Sequence, residues 1–275
     1  MKFIERLLTA QRKNDSLVCV GLDSDLAKLP KAVSATAEGQ FEFNRRIIDA
    51  TKGDVCAYKP NMAFYEEAGL KGWAALEKTI NYIKDTAPDV VVILDAKRGD
   101  IGNTAQAYAK ACWALGAHCV TLNPYLGIDS LEPFLKDETK GAFVLCRTSN
   151  ASGRELQDLD VITPLGPTKL YMHVAKLAMT WGKAGNLGLV VGATMPSELK
   201  DVRALVGNEV PILIPGVGAQ GGSLEMAVRS GVNGQGLLAI INSSREIIFK
   251  DPGPEFDKKA GESARELRTA INRFR

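Results

Sequence analysis

Eight short apolar runs recur along this chain, each ending in polar residues and each followed by a stretch with the period of a helix. They span residues 17–22, 55–58, 90–94, 119–122, 142–146, 187–191, 212–214 and 237–241. Runs this short and this rich in β-branched residues suit strands buried on both faces, as in a parallel sheet. Helical periodicity is read over 41–52, 72–87, 101–115, 130–136, 167–182, 196–205, 223–230 and 256–274, with a polar loop over 151–166. Eight strand–helix alternations with short connections predict an α/β fold: a (β/α)8 TIM barrel. It is expected as a single domain over residues 1–275, preceded by a helix over 1–16. A doubly wound open sheet is the alternative. The even strand count and the closing helix favour the barrel.

A barrel of this length is ordinary for one domain, and 45% apolar with 24% charged residues is ample for a full core. Lys and Arg number 34 against 32 Asp and Glu, a net charge of +2. No global field for nucleic acid or a membrane surface follows from that balance. The five cysteines have no C-x-x-C spacing, and Cys19, Cys56, Cys119 and Cys146 lie in the apolar runs. Buried, reduced thiols of a cytoplasmic protein are expected. His118 and His173 are the only histidines, so neither a histidine-based zinc site nor a Ser-His-Asp triad is expected. Residues 1–16 carry charges throughout, so they read as an amphipathic helix, not a signal peptide. No stretch approaches the length of a membrane span.

Active sites of such barrels lie at the C-terminal ends of the strands. Here those ends carry Asp23, Lys59, Asp95 with Lys97, Asn123, Thr148-Ser149-Asn150, Pro215 and Ser243-Ser244-Arg245. The third is the densest in charge. Asp95 and Lys97 are two apart and share a face if the strand alternates regularly. Asp100 follows a glycine and precedes a helical pattern, at or near an N-cap. Charge gathered where a buried strand meets a helix is costly without a purpose. The plainer alternative is a structural ion pair and a capping carboxylate.

Residues 215–222 read PGVGAQGG and contain G-x-G-x-x-G at Gly216, Gly218 and Gly221. As a dinucleotide fingerprint the motif lacks its context, because it follows the seventh strand and no acidic residue ends the next one. Glycines after strand seven suit a phosphate better, since backbone N–H groups and a helix N-terminus can approach the anion. Ser244 and Arg245 after strand eight add a hydroxyl and a guanidinium suited to bidentate phosphate contact. A tight turn with a surface arginine remains the alternative.

With these residues in view the chain resembles a family. Asp95-Ala-Lys97-Arg-Gly-Asp100-Ile101 is similar to the D-x-K-x-x-D-I signature of orotidine 5′-monophosphate decarboxylases. The match extends to Asp23, Lys59, Arg147-Thr148-Ser149-Asn150, residues 215–222 and Ser244-Arg245. The A-Y-K-P-N, R-T-S-N and N-S-S-R versions resemble the longer bacterial and archaeal branch, type 2. The resemblance implies decarboxylation of orotidine 5′-monophosphate to UMP and CO2 in pyrimidine biosynthesis, without metal or cofactor and with Lys97 protonating C6. It implies a homodimer in which Lys59, Asp95, Lys97 and Asp100 form an alternating charge network. Asp100 would reach in from the partner subunit, and Ile101 and Thr104 would help line the neighbour's site. Asp23 and Lys59 would contact the ribose and Ser149 the pyrimidine. Gln220 would bridge base and phosphate, and Arg245 would hold the phosphate, with Pro215, Gly218 and Ser244 as further substrate contacts. One departure is visible: residues 151–153 read Ala-Ser-Gly where a proline is expected at 151. The shape of that loop is left open.

The chemistry asks for such a set. Loss of CO2 leaves an electron pair at C6 in an sp2 orbital that the ring π system cannot delocalise. Stabilisation must be aimed at that carbon before the bond breaks. An ammonium between two carboxylates has its charged form favoured and can serve first as counter-charge, then as acid. Two rivals stay open. D-x-K-x-x-D alone is shared with metal-dependent sugar-phosphate decarboxylases and hexulose-phosphate synthases, which would carry a metal-binding glutamate after strand two, where this chain has Lys59. A regulatory barrel that binds a nucleotide would keep the phosphate grip and lack turnover.

Overall fold

In this computed structural model, which describes residues 1–218 and 222–275, the apolar runs form eight strands. They are β1 (Val18–Leu22), β2 (Ala57–Pro60), β3 (Val91–Arg98), β4 (Cys119–Leu122), β5 (Gly141–Arg147), β6 (Leu187–Val191), β7 (Ile212–Pro215) and β8 (Ala239–Ser243). They close into a barrel in the order β1-β8-β7-β6-β5-β4-β3-β2. Every pairing is parallel, with registers such as Cys19 against Ala57, Val120 against Ala142 and Ile241 against Ile214. β1, β2, β4, β6 and β8 are buried along their whole length. That is why their sequences run apolar without alternation: one face fills the barrel and the other meets the helices.

Helices Ala37–Thr51, Gly69–Thr86, Gly102–Ala114, Glu132–Leu135, Leu170–Trp181, Pro196–Val206 and Leu224–Gly231 follow β1 to β7 in turn, and Phe256–Asn272 closes the ring. Local chemistry sets several of their ends. The Thr36 side chain accepts from the Gly39 N–H, and Ser223 caps the helix after β7 in the same way. None of the described helices is long and apolar enough to cross a membrane.

The N-terminal helix, Phe3–Lys13, covers the end of the barrel opposite the charged rim. It buries Phe3, Leu7 and Ala10, and the Phe3 ring meets Phe143 edge-on at 6.1 Å. Gln11 is fully buried. It donates to the Ala239 carbonyl at 2.8 Å and accepts from the Leu238 N–H at 3.0 Å. Both the nitrogen and the oxygen of the amide are thus used in fixing the entry of β8, which compensates its burial.

The structure corrects several boundaries. The first helix is Phe3–Lys13, shorter than the 1–16 read from sequence. β3 continues through its charged end to Arg98 because Asp95 to Lys97 stay within the barrel wall. β8 lies two residues later than expected, after Leu238 turns the chain at φ +61. The largest correction concerns the polar loop over 151–166. It holds a turn of 3-10 helix (Ala151–Gly153), a helical turn (Arg154–Gln157) and one strand of a hairpin, Asp160–Thr163. Its partner strand, Gly166–Lys169, consumes the start of the helix expected over 167–182, which begins at Leu170. The ribbon stands off the barrel, with Ile162 and Leu165 at 93% and 86% exposure. A two-stranded ribbon without a buried face carries little periodic signal.

Candidate active site

The C-terminal ends of the strands surround one cavity of about 690 Å³. Its charged floor comes from β1, β2 and β3. The Lys59 ammonium lies 2.9 Å from Asp95 Oδ2 and 3.8 Å from Asp23 Oδ1. The Lys97 ammonium lies 2.7 Å from the other Asp95 oxygen, Oδ1. Asp95 therefore bridges two cations. Lys59 and Asp95 are almost fully buried, whereas half of the Lys97 side chain is open to the cavity mouth.

Burial by itself would push the Asp95 carboxyl up, but the ammoniums of Lys59 and Lys97 overcome it and hold the group well below the usual carboxylate range. Burial by itself would lower Lys59, yet Asp23 and Asp95 raise it above the ordinary lysine value. Asp95 and Lys59 are therefore both charged at neutral pH. Asp23 Oδ1 has no hydrogen-bond donor although it is buried, which leaves an acceptor free at the cavity wall.

Simple alternation does not explain how Asp95 and Lys97 meet. β3 loses register with β4 between Leu94 and Arg98, and Lys97 has φ +47. The strand bulges there, and the bulge re-aims the lysine. Thr121 of β4 sits opposite, its hydroxyl donating to Asp95 Oδ1 at 2.8 Å.

The loop after β5 supplies another wall. Arg147 is buried, with its guanidinium 3.0 Å from Asp158. Gln157 accepts from the Thr148 N–H at 2.9 Å and exchanges hydrogen bonds with its hydroxyl. These contacts hold Thr148, Ser149 and Asn150 against the cavity. Gly192 lets them approach, since a Cβ there would lie 2.8 Å from Ser149 Cβ. The Ala-Ser-Gly of 151–153 thus forms the tight turn that returns Gln157 to Thr148.

At the opposite end Pro215, Gly216, Val217, Ser244 and Arg245 line the same cavity. Arg245 is exposed and opens a single helical turn directly after β8. Ser244 packs so tightly on β1 that a Cβ on Gly21 would lie 1.9 Å from its hydroxyl. Gly218 lies just outside the lining, against the Glu246 carboxylate. The stems of the glycine loop are pinned by a bridge between Val217 and Gly222. Gln220 lies outside the described residues.

Asp23, Lys59, Asp95, Lys97, Ser149, Pro215, Ser244 and Arg245 are thus brought to one cavity, and Asp100, Ile101 and Thr104 are not. Asp100 does not cap the following helix either, whose N-cap is Ile101; its carboxylate accepts from the Ile101 N–H at 2.8 Å. Ile101 is 57% exposed and Thr104 is also exposed. Thr121, Gln157 and Asn242, the last known from sequence only as part of the N-S-S-R stretch, also line the cavity. A polar residue inside an apolar run is the available signal for Thr121, and a polar residue directly after one is the signal for Asn242. Gln157 had none, being remote from every strand end. Among the described residues, no three His, Cys, Asp or Glu side chains are grouped to hold a metal ion.

The model of the orotidine 5′-phosphate decarboxylase / HUMPS family matches residues 16–257. The chain belongs to this family. It is 47% identical to the orotidine 5′-phosphate decarboxylase of Roseiflexus castenholzii, over 99% of this chain and 98% of that one. It is 49% identical to the enzyme of that name from Haloarcula marismortui over the full length of both. Among solved structures, Leishmania donovani OMP decarboxylase superposes with a TM-score of 0.84 at 39% identity, covering 99% of each chain. Leishmania donovani UMP synthase gives 0.86 at 41% identity, with this chain spanning 56% of that longer one. The family match encloses every strand of the barrel and every candidate residue of the orotidine 5′-phosphate decarboxylase signature.

Proposed function

We propose that this chain decarboxylates orotidine 5′-phosphate to UMP and CO2. The observation that carries the reading is the run Lys59–Asp95–Lys97, with its one accessible ammonium at the floor of a cavity whose far wall is built from Gly216, Ser244 and Arg245. A charged reaction centre and an anion grip at opposite ends of one cavity suit a phosphorylated substrate that reacts far from its phosphate.

In this reading the C6–carboxylate bond breaks and its electron pair stays on C6, next to the Lys97 ammonium. Lys97 then gives its proton to C6 and regains one from solvent. Asp95 holds the lysine in place through their ion pair and Lys59 fixes Asp95 from its other oxygen, so the stabilising field exists before the bond breaks. Asp23, with its free buried oxygen, and Lys59 would take the ribose hydroxyls, and Ser149 and Gln220 the base. Arg245 and Ser244, with the backbone around Pro215 and Gly218, would take the phosphate. Phosphate binding so far from C6 can drive the closure and desolvation that the chemistry needs.

The position of Asp100 favours a shared site. Asp100, Ile101 and Thr104 face outward, and beside them the turn after β4 exposes Tyr125 at 79% and Leu126 at 49%. Apolar surface collected on one rim marks an association face. Placed across a two-fold axis, the segment would bring Asp100 to the Lys97 of a partner and Ile101 and Thr104 to the partner's cavity wall.

The test is a spectrophotometric assay of orotidine 5′-phosphate loss, run with and without EDTA. Turnover unaffected by the chelator is expected. Turnover of a sugar phosphate that EDTA abolishes would place the chain with the metal-dependent rivals, although Lys59 puts a cation of its own between Asp23 and Asp95. UMP binding without turnover would make it a regulatory barrel.

A further inference from the structure

Between their last regular pairs, β3 carries two residues more than β4. Leu94 faces Val120 and Arg98 faces Leu122, so Asp95, Ala96 and Lys97 stand opposite Thr121 alone. Lys97 pays for this with a left-handed backbone, φ +47, a conformation that side-chain-bearing residues rarely hold unless their surroundings enforce it. The bulge also removes two backbone N–H groups from the ladder. One side chain takes both of them. The Thr121 hydroxyl accepts from the Ala96 N–H and from the Lys97 N–H, each at 3.0 Å, and donates its own proton to Asp95 Oδ1 at 2.8 Å. A hydroxyl has one proton to give and two lone pairs to receive, and here all three are used. The Asp95 oxygen that it contacts is the one that holds the Lys97 ammonium at 2.7 Å.

We infer that Thr121 is a positioning residue for Lys97. Its hydroxyl holds the backbone turn that aims the lysine into the cavity and the Asp95 carboxylate that tethers the lysine's far end. The inference rests on the reading of Lys97 as the proton donor. A purely structural role is separable because valine has the shape of threonine and its β-branch, and serine keeps the hydroxyl without the methyl. Thr121 is 2% exposed, and in the valine variant the Ala96 and Lys97 N–H groups both lose the acceptor that its hydroxyl gives them.

The experiment measures kcat and KM on orotidine 5′-phosphate, and the Kd of UMP, for wild type, Thr121→Val and Thr121→Ser. Thr121→Val is expected to lower kcat at least tenfold while KM and the UMP Kd stay within threefold. Thr121→Ser is expected to return kcat to within threefold of wild type. A valine variant with kcat within threefold of wild type overturns the inference. So does a serine variant as impaired as the valine one, because the methyl group would then be the part that matters. If the valine chain does not fold, serine against alanine differs by the same hydroxyl and is read by the same thresholds. A crystal structure of the valine variant, or of the alanine variant in that case, gives a readout independent of turnover. Lys97 is expected to leave φ +47 or its ammonium to leave Asp95 Oδ1, and an unmoved Lys97 and Asp95 would overturn the inference. Wild type without activity on orotidine 5′-phosphate would instead sink the reading of the reaction, and the backbone of Lys97 would still report on Thr121.

Discussion

Lys97 differs from the other charged groups of the floor in one respect: it is half open to the cavity, whereas Lys59 and Asp95 are closed in. Exposure is what lets it reach a substrate atom. Lys97→Ala is expected to cost many orders of magnitude in kcat with the fold retained, because counter-charge and proton donor vanish together. A variant with a tenth of wild-type turnover would show that another group does the work. Asp95 carries a second consequence. Its folded-state pKa lies below the unfolded value of about 3.9, so its stabilisation is complete at neutral pH and is lost progressively as pH falls below about 4 toward the depressed folded-state value. Lys59, raised above the ordinary lysine value, contributes fully at lower pH and loses its share only as pH climbs beyond about 10. The stability advantage of wild type over Asp95→Asn, measured by urea unfolding, should therefore hold from pH 6 to 8 and shrink between pH 5 and 3. A difference flat across that acid range would mean that Asp95 is not held ionised.

At the scale of elements, the strands and the loops divide the work. β1, β2 and β3 fix the charged floor, with side chains locked by burial and by one another. The loops after β7 and β8 form the anion wall, where small residues let backbone approach backbone. The Ser244 hydroxyl fits against Gly21 with no room for a methyl between them, so the β8 loop is registered against β1 as firmly as a core contact. A phosphate grip so placed should act on phosphorylated substrate alone. Arg245→Ala is expected to lower kcat/KM on orotidine 5′-phosphate by roughly a hundredfold, the scale of a lost charge-assisted contact. On the nucleoside orotidine the same variant should stay within threefold of wild type. Equal losses on both substrates would place Arg245 in some other role.

For the whole molecule, the question is where Asp100 does its work. Within one chain it lies outside the cavity, on a rim that also exposes Ile101, Tyr108, Tyr125 and Leu126. If it serves a partner's site, Lys97→Ala and Asp100→Ala strike different sites when they sit on different subunits. A mixed dimer then has one site missing both groups and one site intact. Random reassortment of equal amounts yields about half mixed dimers, so activity should return to roughly a quarter of wild type. Refolding the two variants together and assaying orotidine 5′-phosphate loss checks this against each variant alone. No recovery, with refolded wild type active, would return Asp100 to its own subunit.

The order of strands and helices, the barrel they close into and the charged rim were legible from the residues, because burial on two faces and helical period leave their marks locally. So were Asp23, Lys59, Asp95, Lys97, Ser149 and Arg245, each of which stands at or just beyond the end of a recognisable strand. The hairpin over 160–169 was not legible: a ribbon with no buried face has no hydrophobic pattern to read. Nor was the bulge at Lys97, nor the hydroxyl of Thr121 beneath it. Both depend on how β3 and β4 slide against each other, and register is a relation between strands that neither strand encodes alone. Regular alternation would have set Asp95 and Lys97 side by side for the wrong reason. The residue types at the site came from local sequence. The tertiary structure decided their aim, because only packing across the barrel wall can hold a lysine backbone where it would not otherwise stay.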